Sequence, residues 1–203
     1  LKEQFIQYDD EYNDILYSKC ELVKDINSQH IQNIIKEMQT KMRAIGGLGL
    51  AANQIGYPYQ IFMIEFDKKN TSRYTINLPD VPFQVFINPT INKHSNQNVS
   101  FWHGCLSAIG YKRAKLATYK EIEYQAYDQY GEIIKGSLSN LAAVIFQHEF
   151  AHLLGKMYID FDTQYIDNDV LTEMINSKKI NIYEDCDHSV PHIISDYQIG
   201  SSI

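Results

Sequence analysis

The chain has 203 residues, with 18 lysines and arginines against 25 aspartates and glutamates, for a formal net charge of −7. With 44% hydrophobic and 21% charged residues, that length suits one domain with a sizeable core and excludes a disordered or fibrous chain. The acidic balance argues against a nucleic-acid partner, because such affinity comes mainly from Lys and Arg on phosphates. No membrane partner is expected either: the longest unbroken apolar run, Leu141 to Phe146, is far short of the ~20 residues that span a bilayer. The first twenty residues carry Asp9, Asp10, Glu11 and Asp14 and no apolar stretch, unlike a secretory leader. Cys20, Cys105 and Cys186 are too few and too far apart for a disulfide framework, which fits a reducing compartment.

Ile31, Ile34, Ile35, Met38, Met42 and Ile45 recur at helical spacing. With Asp25, Asn27 and Ser28 as cap candidates and Gly46-Gly47 behind, they predict a helix over 28–45. Strand-like runs follow at Tyr59–Glu65, Gln84–Ile91 and Val99–Leu106. Lys120–Tyr127 alternates through Ile122, Tyr124 and Ala126, and Asp128 to Gly131 reads as a hairpin turn into Glu132–Lys135. A second helix is predicted over Ser139–Leu154 with Gly155 as its stop, then a shorter one near 165–177 and a polar tail. Helix, several strands, helix, without βαβ alternation, indicates an α+β fold with an antiparallel or mixed sheet. From Leu153 onward nine acidic residues face three lysines, so the tail carries −6 of the net −7. Such a charge run is ordinarily a solvated surface, with a regulatory or partner-binding tail as the alternative.

The second helix carries His148-Glu149-Phe150-Ala151-His152, an H-E-x-x-H sequence. Residues four apart share a helical face, so both imidazoles can reach one ion. Glu149, rotated by roughly 100°, points beside the ion, where it can take a proton from water. Leu141, Ile145, His148 and His152 continue one seam, and two histidines with an acid on a buried face are costly unless a ligand satisfies them. His188 and His192 are also four apart, but Pro191 disfavours a helix there and no acid follows His188. A catalytic ion of this kind needs a third protein donor and one open position. Glu173, downstream, and Cys105, in Gly104-Cys105-Leu106-Ser107, are the two candidates. Gly47 and Gly49 allow close backbone approach and pairing with an extended peptide, although packing or a helix C-cap accounts for Gly46-Gly47 equally well.

Three motifs in order then resemble the peptide deformylases: Gly47-Leu48-Gly49-Leu50-Ala51-Ala52-Asn53-Gln54, Gly104-Cys105-Leu106-Ser107, and Gln147-His148-Glu149 through His152. Phe86-Ile87-Asn88-Pro89 and Gly155 also fit, and the resemblance covers residues 28–162. It implies a catalytic domain over 1–162, built as a sheet around a central H-E-x-x-H helix with an N-terminal helix; the acidic segment over 163–203, outside the resemblance, reads as a helix-and-tail extension of the same domain. It also implies that Cys105, His148 and His152 hold one divalent metal, Fe²⁺ in the typical native enzyme, with Zn²⁺, Ni²⁺ or Co²⁺ as substitutes. Glu149 would shuttle the proton, while the Gln54 amide and the Leu106 N–H would stabilise the oxyanion. Gly47, Leu48, Gly49, Phe101, His103, Gly104, Leu141, Val144 and Ile145 would contact substrate, several of them lining a methionine pocket. The implied activity is removal of formyl from formylmethionyl peptides in a bacterial-type cytoplasm, or in an organelle if a segment preceding Leu1 has been trimmed. Alternatives are hydrolysis of another N-acyl peptide and a catalytically silent metal- or peptide-binding module.

The chain departs from the family pattern in places. His103 replaces a usual Glu, Ala117-Thr118 and Leu141-Ala142 stand where arginines are usual, Ala151 replaces an Asp, and Asn53 replaces a Pro. Losing both halves of an ionic pair together avoids stranding a buried charge. At the pocket mouth His103 would read a different second residue or an acidic group, unless it is simply solvated or packed.

Overall fold

The computed structural model describes residues 2–71 and 80–203. The chain opens with short 3-10 turns and then forms α1 (Gln29–Ala44), β1 (Gly49–Ala51), a 3-10 turn (Ala52–Ile55), β2 (Ile61–Phe66), α2 (Lys68–Thr71), β3 (Val81–His94) and β4 (Asn98–His103). β5 (Arg113–Tyr119), β6 (Glu121–Tyr127), β7 (Ile133–Ser139), α3 (Asn140–Leu153), β8 (Tyr165–Ile166), α4 (Asn168–Asn176) and β9 (Tyr183–Cys186) follow. The named strands form two antiparallel sheets, ordered β1-β2-β3-β6-β7 and β8-β5-β4-β9.

Alternation along β2 and β3 decides what packs where. Ile61, Met63, Val85 and Ile87 bury against Ile31, Ile34, Ile35, Met38 and Met42 of α1. Phe62, Ile64 and Phe86 point to the opposite face and join Phe146 and Phe150 of α3. Val99 and Phe101 of β4 and Leu116 of β5 close over α3 from the second sheet. The layers are therefore α1, five-stranded sheet, α3, four-stranded sheet. Because α3 lies between two sheets, it is buried all round, not only along the seam predicted for it.

Local chemistry sets the ends. The Ser28 hydroxyl accepts from the Ile31 N–H at the start of α1 (3.2 Å). At its far end Gly46 takes φ +65°, and the Gly46 and Gly47 N–H groups return to the Arg43 and Met42 carbonyls. That is the C-cap explanation of the glycine pair. Asp128 accepts from the N–H groups of Tyr130 (2.9 Å) and Glu132 (3.0 Å), closing the predicted hairpin. Asn88, at φ +51° where β3 is bulged, pairs its side-chain amide with both backbone groups of Val23 (2.9 Å each).

Two differences from the sequence reading stand out. Arg113–Tyr119 forms β5 although its Lys, Arg and Ala content gives little strand signal. The polar tail packs closely on the sheets. β9 pairs with β4, Ile193 and Ile194 are buried, and the backbone of Ile91 bonds Tyr197 Oη and the Gly200 N–H. Its acids include Glu184, Asp185 and Asp196, which pair with Lys115, Lys120 and Lys156. Among the described residues, no helix is long and apolar enough to cross a membrane.

Candidate metal centre and active site

The layering brings three distant segments together. α3 presents His148, Glu149 and His152; the loop after β4 presents Cys105; and the 3-10 turn after β1 presents Gln54. The ligand atoms of Cys105, His148 and His152 lie within 4.8 Å of one another, with Cys105 Sγ 3.2 Å from His152 Nε2. Glu173, the other candidate donor, is exposed on α4. His188 bonds Asn98 and His192 packs on Tyr119, and neither joins this group.

Each donor is held from behind. The Ala51 N–H donates to Gln54 Oε1 (2.9 Å), which fixes the amide so that Nε2 faces Cys105 Sγ (3.4 Å) and Ser107 Oγ (3.2 Å). The Ser107 N–H approaches the thiol (3.4 Å), and the Leu106 N–H bears on it as well. Asn53 Nδ2 donates to the His152 carbonyl (2.8 Å), tying the 3-10 turn to the end of α3. Gln7, which carries no sequence signal, clamps the loop. Its Nε2 donates to the Leu106 carbonyl (2.8 Å), and its Oε1 accepts from the Ile109 N–H (3.1 Å). Gly49 has a use the sequence did not suggest: a Cβ there would stand 2.6 Å from Glu149 Oε2.

Burial disfavours the charged form of every ionisable group in the cluster. Burial, partly offset by the Ser107 and Leu106 N–H groups, pushes the Cys105 thiol up to about 12. It also pushes the Glu149 carboxyl up to about 8. His148 is pulled down to about 4 by burial and the Arg113 charge, and His152 well below its usual range by burial and His148. Glu149 Oε1 and His152 Nδ1 are buried without a hydrogen-bond partner. A divalent ion offsets these costs together, since coordination deprotonates the thiol outright and uses neutral imidazoles. A soft thiolate with two imidazoles suits Fe²⁺ or Zn²⁺ and not Mg²⁺ or Ca²⁺, and three protein donors leave one position open.

A cavity of about 370 Å³ opens onto this group, walled by Gly47, Leu48, Gly49, Phe101, Gly104, Leu106 and Ile145. Leu141 and Val144, expected to line a pocket, are fully buried and lie outside this wall. His103 is not solvated at the mouth. It is 1% exposed, with Nδ1 3.0 Å from His148 Nδ1. Arg113 was not anticipated. Its side chain lies against Gly104, donates to the Trp102 carbonyl and adds a cation to the cavity wall.

The chain resembles known proteins over most of its length. Residues 2–165 match the family described as polypeptide deformylase. A chloroplastic peptide deformylase of Solanum lycopersicum is 38% identical over 148 residues, 68% of this chain and 52% of the relative. A peptide deformylase of a Nostoc species is 34% identical over 73% of this chain and 80% of its own length. The crystal structure of a peptide deformylase from Ehrlichia chaffeensis superposes with a TM-score of 0.67 at 26% identity, covering 87% of this chain and 96% of that one. The chain spans about half the length of the tomato relative. With the family match running from the N-terminal turns over the five-stranded sheet, β4, β5 and α3, the chain belongs to the polypeptide deformylase family.

Proposed function

We propose that the protein hydrolyses the formyl group from the N-terminal formylmethionine of peptides, releasing formate. The carrying observation is that three soft and borderline donors group within 4.8 Å, and that two of them, with a buried carboxyl bearing an unsatisfied oxygen and a fixed amide donor, line one cavity. Cys105, His148 and His152 would hold the metal, and Fe²⁺ is our choice, with Zn²⁺, Ni²⁺ or Co²⁺ able to replace it. A divalent ion held there supplies a Lewis acid that makes water nucleophilic near neutral pH.

The chain's own residues do the rest. Glu149 takes the proton of the attacking water on its carboxylate and returns it to the departing amine. Burial raises its affinity for protons, and a carboxyl beside the ion is placed to take and return one. Gln54 Nε2 and the Leu106 N–H donate to the formyl oxygen as negative charge develops on it. β1 is the edge of its sheet, and residues 47–49 line the cavity, so an extended peptide can pair there as an added strand. Leu48, Phe101 and Ile145 offer apolar surface to the methionine side chain. The setting we assign is a bacterial-type cytoplasm or an organelle.

Arg113 puts a cation into that wall and favours, as a second reading, another N-acyl peptide. Formate and acetate release from formyl- and acetyl-Met tripeptides by the metal-loaded protein separates the two. Preference for the formyl substrate is expected; faster acetyl release would replace the first reading with the second.

A further inference from the structure

His103 ends β4 on the inner side of the cavity, and its ring lies parallel to that of His148, 4° apart with centroids separated by 5.2 Å. The two Nδ1 atoms are 3.0 Å apart. At that distance two bare lone pairs repel and two N–H groups collide, so the contact holds one proton between the rings. With His148 Nδ1 engaged, its Nε2 is the atom left to face Cys105 and His152. A coordinating nitrogen carries no proton, so the neutral His148 ring has its proton on Nδ1 and donates it to His103. His103 then accepts at Nδ1 and carries its own proton on Nε2, a buried atom with no hydrogen-bond partner.

We propose that His103 is a positioning residue of the metal centre, the neutral acceptor that fixes the tautomer and orientation of His148. The proposal rests on the metal-site reading given above. It also assigns a direction to the replacement of a carboxylate by an imidazole at this position. A carboxylate acceptor draws on the N–H and makes the ligating ring more basic, whereas an imidazole does so less. This chain therefore holds its metal less tightly than the same site would with Glu at position 103.

The test is metal affinity, read without turnover. Apoprotein is titrated with Co²⁺ against a chromophoric chelator, with the cobalt ligand-field and thiolate bands recorded and apoprotein melting as the control for folding. His103→Phe keeps a ring but removes the acceptor, and is expected to weaken Co²⁺ binding by about 10–100-fold. His103→Gln, whose amide oxygen can accept, recovers most of that loss, and His103→Glu binds more tightly than wild type. A folded His103→Phe protein with wild-type affinity overturns the proposal. If that variant does not fold, the order Glu above His above Gln decides, and any other order overturns it. Wild-type protein that binds no Co²⁺ refutes the metal-site reading itself, an outcome distinct from the others.

Discussion

Gly49 stands where any larger residue collides with Glu149, since a Cβ would come within 2.6 Å of Oε2. Gly49→Ala must displace the carboxyl, and misplacement of this kind costs about 100-fold in turnover. The variant should keep its metal, which metal analysis beside kcat checks; unchanged kcat would show that Glu149 tolerates the shift. Gln54 is fixed by the Ala51 N–H with its donor toward the site. Gln54→Ala is expected to lower kcat by about 10²–10³ with less effect on KM, as loss of one oxyanion donor does. At this scale Cys105 was singled out from Glu173 only by the family resemblance, and His148, Glu149 and His152 were legible from helical spacing. The His103–His148 contact, the Gln7 clamp and Arg113 were not, because each depends on which segments the fold brings together.

Among the elements, α3 shows where a periodic pattern underdetermines its surroundings. Its sequence predicts a helix with the right ends and a histidine seam, yet both sheets bury it, as an element apolar on nearly every side requires. Phe146 meets the rings of Phe62 (4.9 Å) and Phe86 (5.0 Å) edge-on, with Tyr124 at 5.2 Å. Phe146→Ala should cost about 3–5 kcal/mol in denaturant unfolding, and a loss below ~1 kcal/mol would mean that α3 is not the packing centre. β5 shows the converse. Its strand character comes from pairing with β4 along the full register 98–103 to 114–119 and not from its own residues.

For the whole molecule, the acidic extension supplies both edge strands of the four-stranded sheet, β8 and β9. Asp185 and Asp196 are largely exposed in their lysine pairs, so the ion pairs contribute little, and the buried Ile193, Ile194 and Tyr197 hold the segment down. Hydropathy gave no hint of this, because the anchoring residues are scattered among charges. The extension also sets a pH dependence. Burial, with His94 and His188 nearby, lowers His192 to about 4 from an ordinary 6.5. The unfolded chain thus binds more protons between those values. The stabilisation is complete above pH 6.5 and is lost as pH falls toward 4, with a slope of up to about 1.4 kcal/mol per pH unit. Apoprotein stability should fall across that window, and His192→Gln should make the slope shallower by one histidine's share, since His103, His148 and His152 are lowered as well. Equal slopes in the two proteins would contradict the assignment.

One comparison joins the metal to the chemistry. Wild-type protein and Glu149→Gln, purified anaerobically and loaded with Fe²⁺, are assayed for bound metal per chain and for formate released from a formyl-Met tripeptide. One tightly held ion is expected in both, with turnover in the wild type and a loss of at least about 100-fold in the variant. Full turnover in Glu149→Gln, or none in a wild type holding its ion, would contradict the proposed function.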